Sequence, residues 1–239
     1  MSGLKPETRK HLLQVGVANI ANTLLKRGFR NVIPHGVRPL NPRQPCLVGE
    51  AFTLRFIPAR EDLDHMGAYN RDDNLHRVAI ETCPAGKVLV IDALGSTAAA
   101  SMGDMMAWRL VARGVAGVVS DGGFRDSESI RLTGLPCYAQ GVAIPATPIR
   151  LHPVALEEPV GCGGVAVYPG DVIVGDVEGV AVIPATLVDA VAEEAFAATA
   201  YEEFAAEQIR AGRSLLGLFP STPESRQEYE DWLQGKEHT

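Results

Sequence analysis

Two short stretches of this chain hold residue types that could do chemistry together. Gly103-Asp104-Met105-Met106 is followed by Asp121-Gly122-Gly123-Phe124-Arg125-Asp126, with twenty residues separating Asp104 from Arg125. Two carboxylates and a guanidinium gathered in one place can orient a proton, hold a hard cation through oxygen and pair with an anionic ligand. Backbone N–H groups at a helix start beside them would add a cradle for that anion.

Such groups meet only if the surrounding elements bring them together. Residues 88–91 and 115–119 are short apolar runs, and residues 105–113 between them read as a helix. Two buried strands joined by a helix form a βαβ unit, whose ligand crevice lies beyond the carboxyl ends of the strands. The loop 121–126 leaves one strand end, and the helix beginning at Gly103 starts beside the other.

Elsewhere, residues 6–26 carry helically spaced apolar side chains, with Gly28 as the stop. Residues 31–45 contain four prolines and read as an extended connection. Residues 47–57 alternate as a half-buried strand. The polar segment 60–77, with five acids, three arginines and two histidines, reads as a loop plus a helix start or as an insertion. A helix over 74–82 follows. From 135 to 183, short apolar runs punctuated by glycine and proline predict strands at 165–167, 172–174 and 180–183. Many short strands beside one βαβ unit suggest a mixed sheet or small barrel rather than a doubly wound fold. Residues 185–213 are rich in alanine and glutamate and predict a long helix, and 223–234 a short one. One domain over 1–184, with a helical extension over 185–239 packed on it or on a neighbouring subunit, is the expected organisation.

The chain has 239 residues, 46% of them hydrophobic, and no apolar run of membrane-spanning length, so a cytoplasmic protein without a membrane partner is expected. A net charge of −7 with no basic run argues against nucleic acid as a partner. Cys46, Cys83, Cys137 and Cys162 are too far apart for a CxxC zinc site or an evident disulfide framework.

The pattern Gly103-Asp104, then Arg113-Gly114-Val115-Ala116-Gly117-Val118-Val119, then Arg125-Asp126, resembles the family of regulator of ribonuclease activity A and the class II 4-hydroxy-4-methyl-2-oxoglutarate/4-carboxy-4-hydroxy-2-oxoadipate aldolases. The later run from Pro169-Gly170-Asp171 through Asp176 to Glu178-Gly179-Val180-Ala181-Val182-Ile183-Pro184 is similar to that family too. The resemblance spans roughly residues 47–184. It implies an α/β fold of α/β/β layers, swivelling-domain-like, assembled as a trimer or a pair of trimers. It also implies a magnesium or manganese ion held by Asp126, with Arg125 and the backbone of Gly103, Asp104, Met105 and Met106 on the carboxylate of a small 2-oxo acid. Asp104 and Arg125 are the implied catalytic residues, Asp104 as orienter of water or general base. The implied reaction is a retro-aldol cleavage of a 4-hydroxy-2-oxo acid to pyruvate, with oxaloacetate decarboxylation through the same enolate. A Schiff base is disfavoured, since none of the five lysines belongs to the motif. Some relatives in this family are instead non-catalytic, protein-binding regulators of a ribonuclease; these end soon after the position of Pro184, so the residues that follow it favour the enzyme.

Plainer readings stand beside these. Arg125-Asp126 could be a solvated ion pair in a turn, and Asp104 a helix-start acid favoured by the dipole. His65 and His76 fit no ligand spacing and read as solvated or interface residues. Gly161-Cys162-Gly163-Gly164 lacks the lysine and helix of a P-loop and reads as a tight turn. Met105, Met106 and Trp108 depart from the smaller residues expected of the family, and segment 60–77 has no match, so the contacts to the far end of a substrate stay open.

Overall fold

The computed structural model describes residues 3–236. It opens with two helices, α1 (Pro6–Leu12) and α2 (Val17–Lys26), where the periodicity predicts one. Gly16, in extended backbone, starts the second helix. The turn lets Leu12 on one helix and Ile20 and Leu24 on the other share a single core. Gly28 follows α2 at φ +90, the left-handed stop that its position predicts.

After β1 (Arg38–Pro39) comes the long strand β2 (Leu47–Pro58). The polar segment then carries the short helix α3 (Met66–Tyr69) and leads into α4 (Leu75–Thr82). The chain continues through β3 (Val88–Asp92), β4 (Ala100–Met102), α5 (Asp104–Ala112), β5 (Gly117–Ser120), β6 (Gly123–Phe124), α6 (Ser127–Leu132), β7 (Cys137–Ala139) and β8 (Gly141–Val142). β2, β3, β5 and β7 lie side by side and parallel, with α4, α5 and α6 in the connections. The expected βαβ unit is therefore the middle one of three.

The remaining strands are β9 (Leu151–Leu156), β10 (Val160–Cys162), β11 (Val165–Val167), β12 (Val172–Gly175) and β13 (Val180–Ile183). β12 and β9 pair antiparallel with the two ends of β2, and β1 pairs antiparallel with β7, which makes the eight-stranded sheet mixed. Gly163 and Gly164, both at positive φ, form the two-residue turn of the β10–β11 hairpin, so residues 161–164 are a tight turn.

Side-chain alternation explains the layers. Leu89 and Ile91 pack with Ala79, Ile80, Ala107, Leu110 and Ile130 on the helical face. Val88 and Val90 point the other way, onto Val160, Cys162, Val165 and Val167 of the hairpin. A strand buried on both faces reads as an unbroken apolar run, which is how these strands were legible. The same helical side of β12 and β13 is covered by α1, α2 and α7 (Val188–Arg210), with Ala192 and Ala195 of α7 against Val172, Val174 and Ile183. Helices over a mixed sheet over a hairpin give the α/β/β layering, with the long helix near the C-terminus.

That helix begins after a 3-10 turn at Ala185–Leu187 and stops at Arg210, short of the expected 213. Its bonds reach back to the N-terminal helices: Lys5 to Asp189 at 2.6 Å, Asn19 to Glu202 at 2.8 Å and Arg27 to Glu194 at 2.6 Å. α8 (Pro223–Lys236) closes on it through Tyr201, Phe204, Tyr229 and Trp232. Among the described residues no helix is long and apolar enough to cross a membrane.

Candidate functional site

The segments that leave β3, β5 and β7 at their carboxyl ends form a second tier, in which β4, β6 and β8 make a separate three-stranded parallel sheet. Glycine permits that tier, because a Cβ on Gly123 would lie 2.7 Å from the Cβ of Ala143. Pairing of Met102 with Phe124, and the Arg125 N–H donating to the Met102 carbonyl at 3.0 Å, set Gly103 and Arg125 just past the ends of neighbouring strands. A Cβ on Gly103 would stand 3.1 Å from Asp126 Oδ2 and 3.2 Å from Arg125 Nε. The backbone of Gly103 thus lies directly against both side chains.

Gly103 is the N-cap of α5 and offers no side-chain cap. The Ala107 N–H makes the first helical bond, to the Gly103 carbonyl at 3.2 Å. The N–H groups of Asp104, Met105 and Met106 have no acceptor among the described residues, and an uncapped helix start of this kind binds anions. Asp104 does not cap its own helix. Its Oδ2 accepts from the Ser129 hydroxyl at 2.9 Å, tying α5 to α6. Met105 projects into solvent, while Met106 packs partly against the helical core.

Asp126 sits in left-handed backbone, φ 55 and ψ 36, at the start of α6. A non-glycine residue there is strained by roughly 1 kcal/mol and needs surroundings that hold it. Its Oδ2 accepts from Arg125 Nε at 3.2 Å; Oδ1 has no partner among the described residues. The side chains of Arg125 and Asp126 remain 47% and 42% exposed, open to a ligand.

The described residues contain no group of three or more metal-ligating side chains. A hard cation that keeps most of its waters needs fewer: one or two carboxylate oxygens suffice. The unpartnered Oδ1 atoms of Asp126 and Asp104 fit that requirement, and carboxylate oxygen as the donor suits magnesium or manganese.

Behind the site, Asp121 is buried and fully engaged. Oδ1 accepts from Ala93 N–H at 2.6 Å, and Oδ2 from Gly95 and Gly163 N–H at 3.1 and 3.2 Å. Burial pushes its pKa up against those three bonds. Asp121 frames the loop rather than entering it. Ser101 and Ser120 join their hydroxyls at 2.9 Å beneath the same loop.

The two histidines divide. His65 is exposed and caps α3 by accepting from Ala68 N–H at 3.2 Å. His76, expected at the surface, is completely buried, edge-on to Phe56 with ring centroids 5.2 Å apart. The helical spacing of α4 turns it inward with Ala79 and Ile80. Neither of its ring nitrogens has a hydrogen-bond partner, and burial lowers its pKa to about 4. Cys137 and Cys162 are core residues on β7 and β10. Ser129 was invisible in the sequence, because only the packing of α6 on α5 delivers its hydroxyl to Asp104. A groove of about 670 Å³ between α2, α7 and α8 contains none of the motif residues.

A protein of Halalkalibacterium halodurans with the provisional name 4-hydroxy-4-methyl-2-oxoglutarate aldolase is 36% identical over 150 residues, 62% of this chain and 64% of that protein. Protein DlpA of Legionella pneumophila is 26% identical over 90% of this chain, which spans only 33% of DlpA. The chain therefore covers less than two thirds of either relative. The crystal structure of Streptomyces coelicolor RraAS2, described as an unusual member of the RNase ES inhibitor RraA protein family, superposes with a TM-score of 0.75 at 31% identity, covering 85% of this chain and 98% of that one. The family model described as Aldolase/RraA matches residues 17–182, which include Gly103–Met106 and Asp121–Asp126, and the chain belongs to the RraA-like family.

Proposed function

We propose that this protein is a cytoplasmic, divalent-metal-dependent carbon–carbon lyase that cleaves a 4-hydroxy-2-oxo acid to pyruvate and a second oxo compound, with oxaloacetate decarboxylation as a side activity. One observation carries the reading: three unbonded N–H groups at the start of α5 stand beside a half-exposed arginine and a left-handed aspartate with an unpartnered oxygen. The provisional aldolase name of the relative supports the same chemistry.

Asp126, with Asp104, would hold a divalent cation, which when bound would supply Lewis acidity at the substrate's 2-oxo group. Arg125 offers its guanidinium fork to the adjacent carboxylate, and the N–H groups of Asp104, Met105 and Met106 donate hydrogen bonds to the same anion. Negative charge that develops on the pyruvyl fragment meets these same donors without their having to move, which is the efficient form of electrostatic stabilisation. Asp104, aligned by Ser129, takes the proton from the 4-hydroxyl through water as the C3–C4 bond breaks, and the same water returns it to C3 to give pyruvate. The exposure of Met105, Val142 and Ile144 supports completion of the site by another copy, in a trimer or pair of trimers.

The test is pyruvate release from 4-hydroxy-4-methyl-2-oxoglutarate, 4-carboxy-4-hydroxy-2-oxoadipate and oxaloacetate, by protein stripped with chelator and then reloaded with magnesium or manganese. Release that depends on the added ion is expected. Its absence across a broad 2-oxo-acid panel would overturn the lyase and favour a protein-binding regulator, the activity named for the RraAS2 family.

A further inference from the structure

The groove between α2, α7 and α8 is unused by the chemistry proposed above. Two of its walls, α7 and α8, lie beyond residue 182, where the family match ends. Its volume of about 670 Å³ is that of a small-molecule site. The walls are pinned from behind. Asn19 on α2 bonds Glu202 on α7 at 2.8 Å, and Arg27 bonds Glu194 at 2.6 Å. The Tyr201 hydroxyl donates to the Leu218 carbonyl at 2.5 Å, and its ring meets that of Tyr229 edge-on at 5.5 Å, which fixes α8. The groove is therefore preformed.

Facing walls keep groups of both signs uncommitted. On α2, Lys26 makes no hydrogen bond or ion pair among the described residues. On α8, Glu230 is equally free, and Arg226 commits only Nε, to the Ser221 hydroxyl at 3.1 Å. Arg226 and Glu230 share a face of α8 at the spacing that favours an ion pair, yet they form none. Glu194 and Glu202, which also line the groove, are already held by Arg27 and Asn19. Between the charges the surface is apolar, built from Leu25, Ala197, Ala198 and the rings of Phe219 and Tyr229.

We propose that this groove binds a free α-amino acid with an aromatic side chain. The ligand's carboxylate pairs with Lys26 and the remaining guanidinium nitrogens of Arg226, its ammonium with Glu230, and its ring with Phe219 and Tyr229. Charge complementarity selects the zwitterion. A simple carboxylate would leave Glu230 facing like charge, and a simple amine would face Lys26 and Arg226. Neither Arg125 nor Asp126 takes part, so the site stands or falls independently of the lyase reading.

The experiment is calorimetry on the full chain with L-phenylalanine, phenylpropanoate, phenylethylamine and L-alanine, in chelator so that no metal ion recruits a carboxylate. L-Phenylalanine is expected to bind with a dissociation constant below about 1 mM. Each analogue, lacking one charge or the ring, should bind at least about tenfold more weakly. Lys26→Ala and Glu230→Gln remove exposed side chains and should each weaken L-phenylalanine about tenfold. Glu230→Gln should at the same time strengthen phenylpropanoate, the reversal that a charge match requires. Hydrogen exchange should slow along residues 219–230 when L-phenylalanine is added. No binding, binding that survives both variants, equal binding of the singly charged analogues, or protection at 103–126 instead, each overturns the site. So does a shift in oligomeric state on Lys26→Ala with no amino acid bound, which would seat a second copy of the chain in the groove.

Discussion

Asp121 and Asp126 are five positions apart in one loop and lead opposite lives. Asp121 is buried, with three backbone N–H groups filling both oxygens. Asp126 is half-exposed, in left-handed backbone, with one oxygen unpartnered. A carboxylate whose hydrogen-bonding capacity is fully used holds structure together. One kept strained and unsatisfied is available to a ligand, and strain persists only where the surroundings enforce it. The loop thus separates the task of holding from the task of binding.

Substitutions at the two ends should separate the same way. Asp126→Asn keeps a side chain that tolerates left-handed backbone, and Arg125→Ala removes an exposed group. Each should lower kcat/KM for pyruvate release at least about a hundredfold, roughly 2.7 kcal/mol of barrier, while the unfolding free energy stays within about 0.5 kcal/mol of wild type. Retention of more than about a tenth of the rate, a loss of under ~1.4 kcal/mol, would remove that residue from the mechanism. Asp121→Ala should do the reverse. Three buried donors lose their acceptor at once, so chemical denaturation should report a loss of about 3 kcal/mol or more. A stable Asp121→Ala protein with no activity would place Asp121 in the chemistry and dissolve the contrast.

What was legible beforehand follows from the same physics. The strands buried on both faces announced themselves as apolar runs, and the glycine-bounded helix between β3 and β5 located the crevice. The tier that carries the site did not. Gly123-Phe124 is a strand only because it pairs with β4, and Gly141-Val142 only because it pairs with β6; two residues have no periodicity to read. The six residues of α6 are likewise too few for a helical pattern, so the contact between Ser129 and Asp104 could not be anticipated. His76 reversed expectation, since a polar neighbourhood in sequence disguised an inward position on α4.

His76 sharpens the contrast from the apolar side, as a buried imidazole packed on aromatic rings with no hydrogen-bond partner for its ring nitrogens. Histidine in the unfolded chain titrates near about 6.5, whereas burial lowers the folded value to about 4. Below the unfolded value, the unfolded chain takes up a proton that the native state refuses. Its contribution is therefore fully present above that pH, falls as pH drops, and levels off once the folded value is passed. The span corresponds to about 3 kcal/mol. His76→Leu should shrink the difference in unfolding free energy between pH 7 and pH 4 by that order, and an unchanged difference would mean that His76 is protonated in the native state.

Ser129→Ala is the smallest expected effect and the most discriminating one. The hydroxyl makes one bond, to Asp104 Oδ2 at 2.9 Å, and touches no proposed ligand group. If Asp104 works by alignment, losing that bond should cost about 1 kcal/mol, a few-fold fall in kcat with KM nearly constant. Ser129→Thr, which restores the hydroxyl, should recover most of the rate. A merely structural tie between α5 and α6 would instead lower stability and leave kcat of the folded fraction unchanged. That result would return Asp104 to the role of a helix-start acid and shift the weight of catalysis onto Arg125, Asp126 and the bare N–H groups.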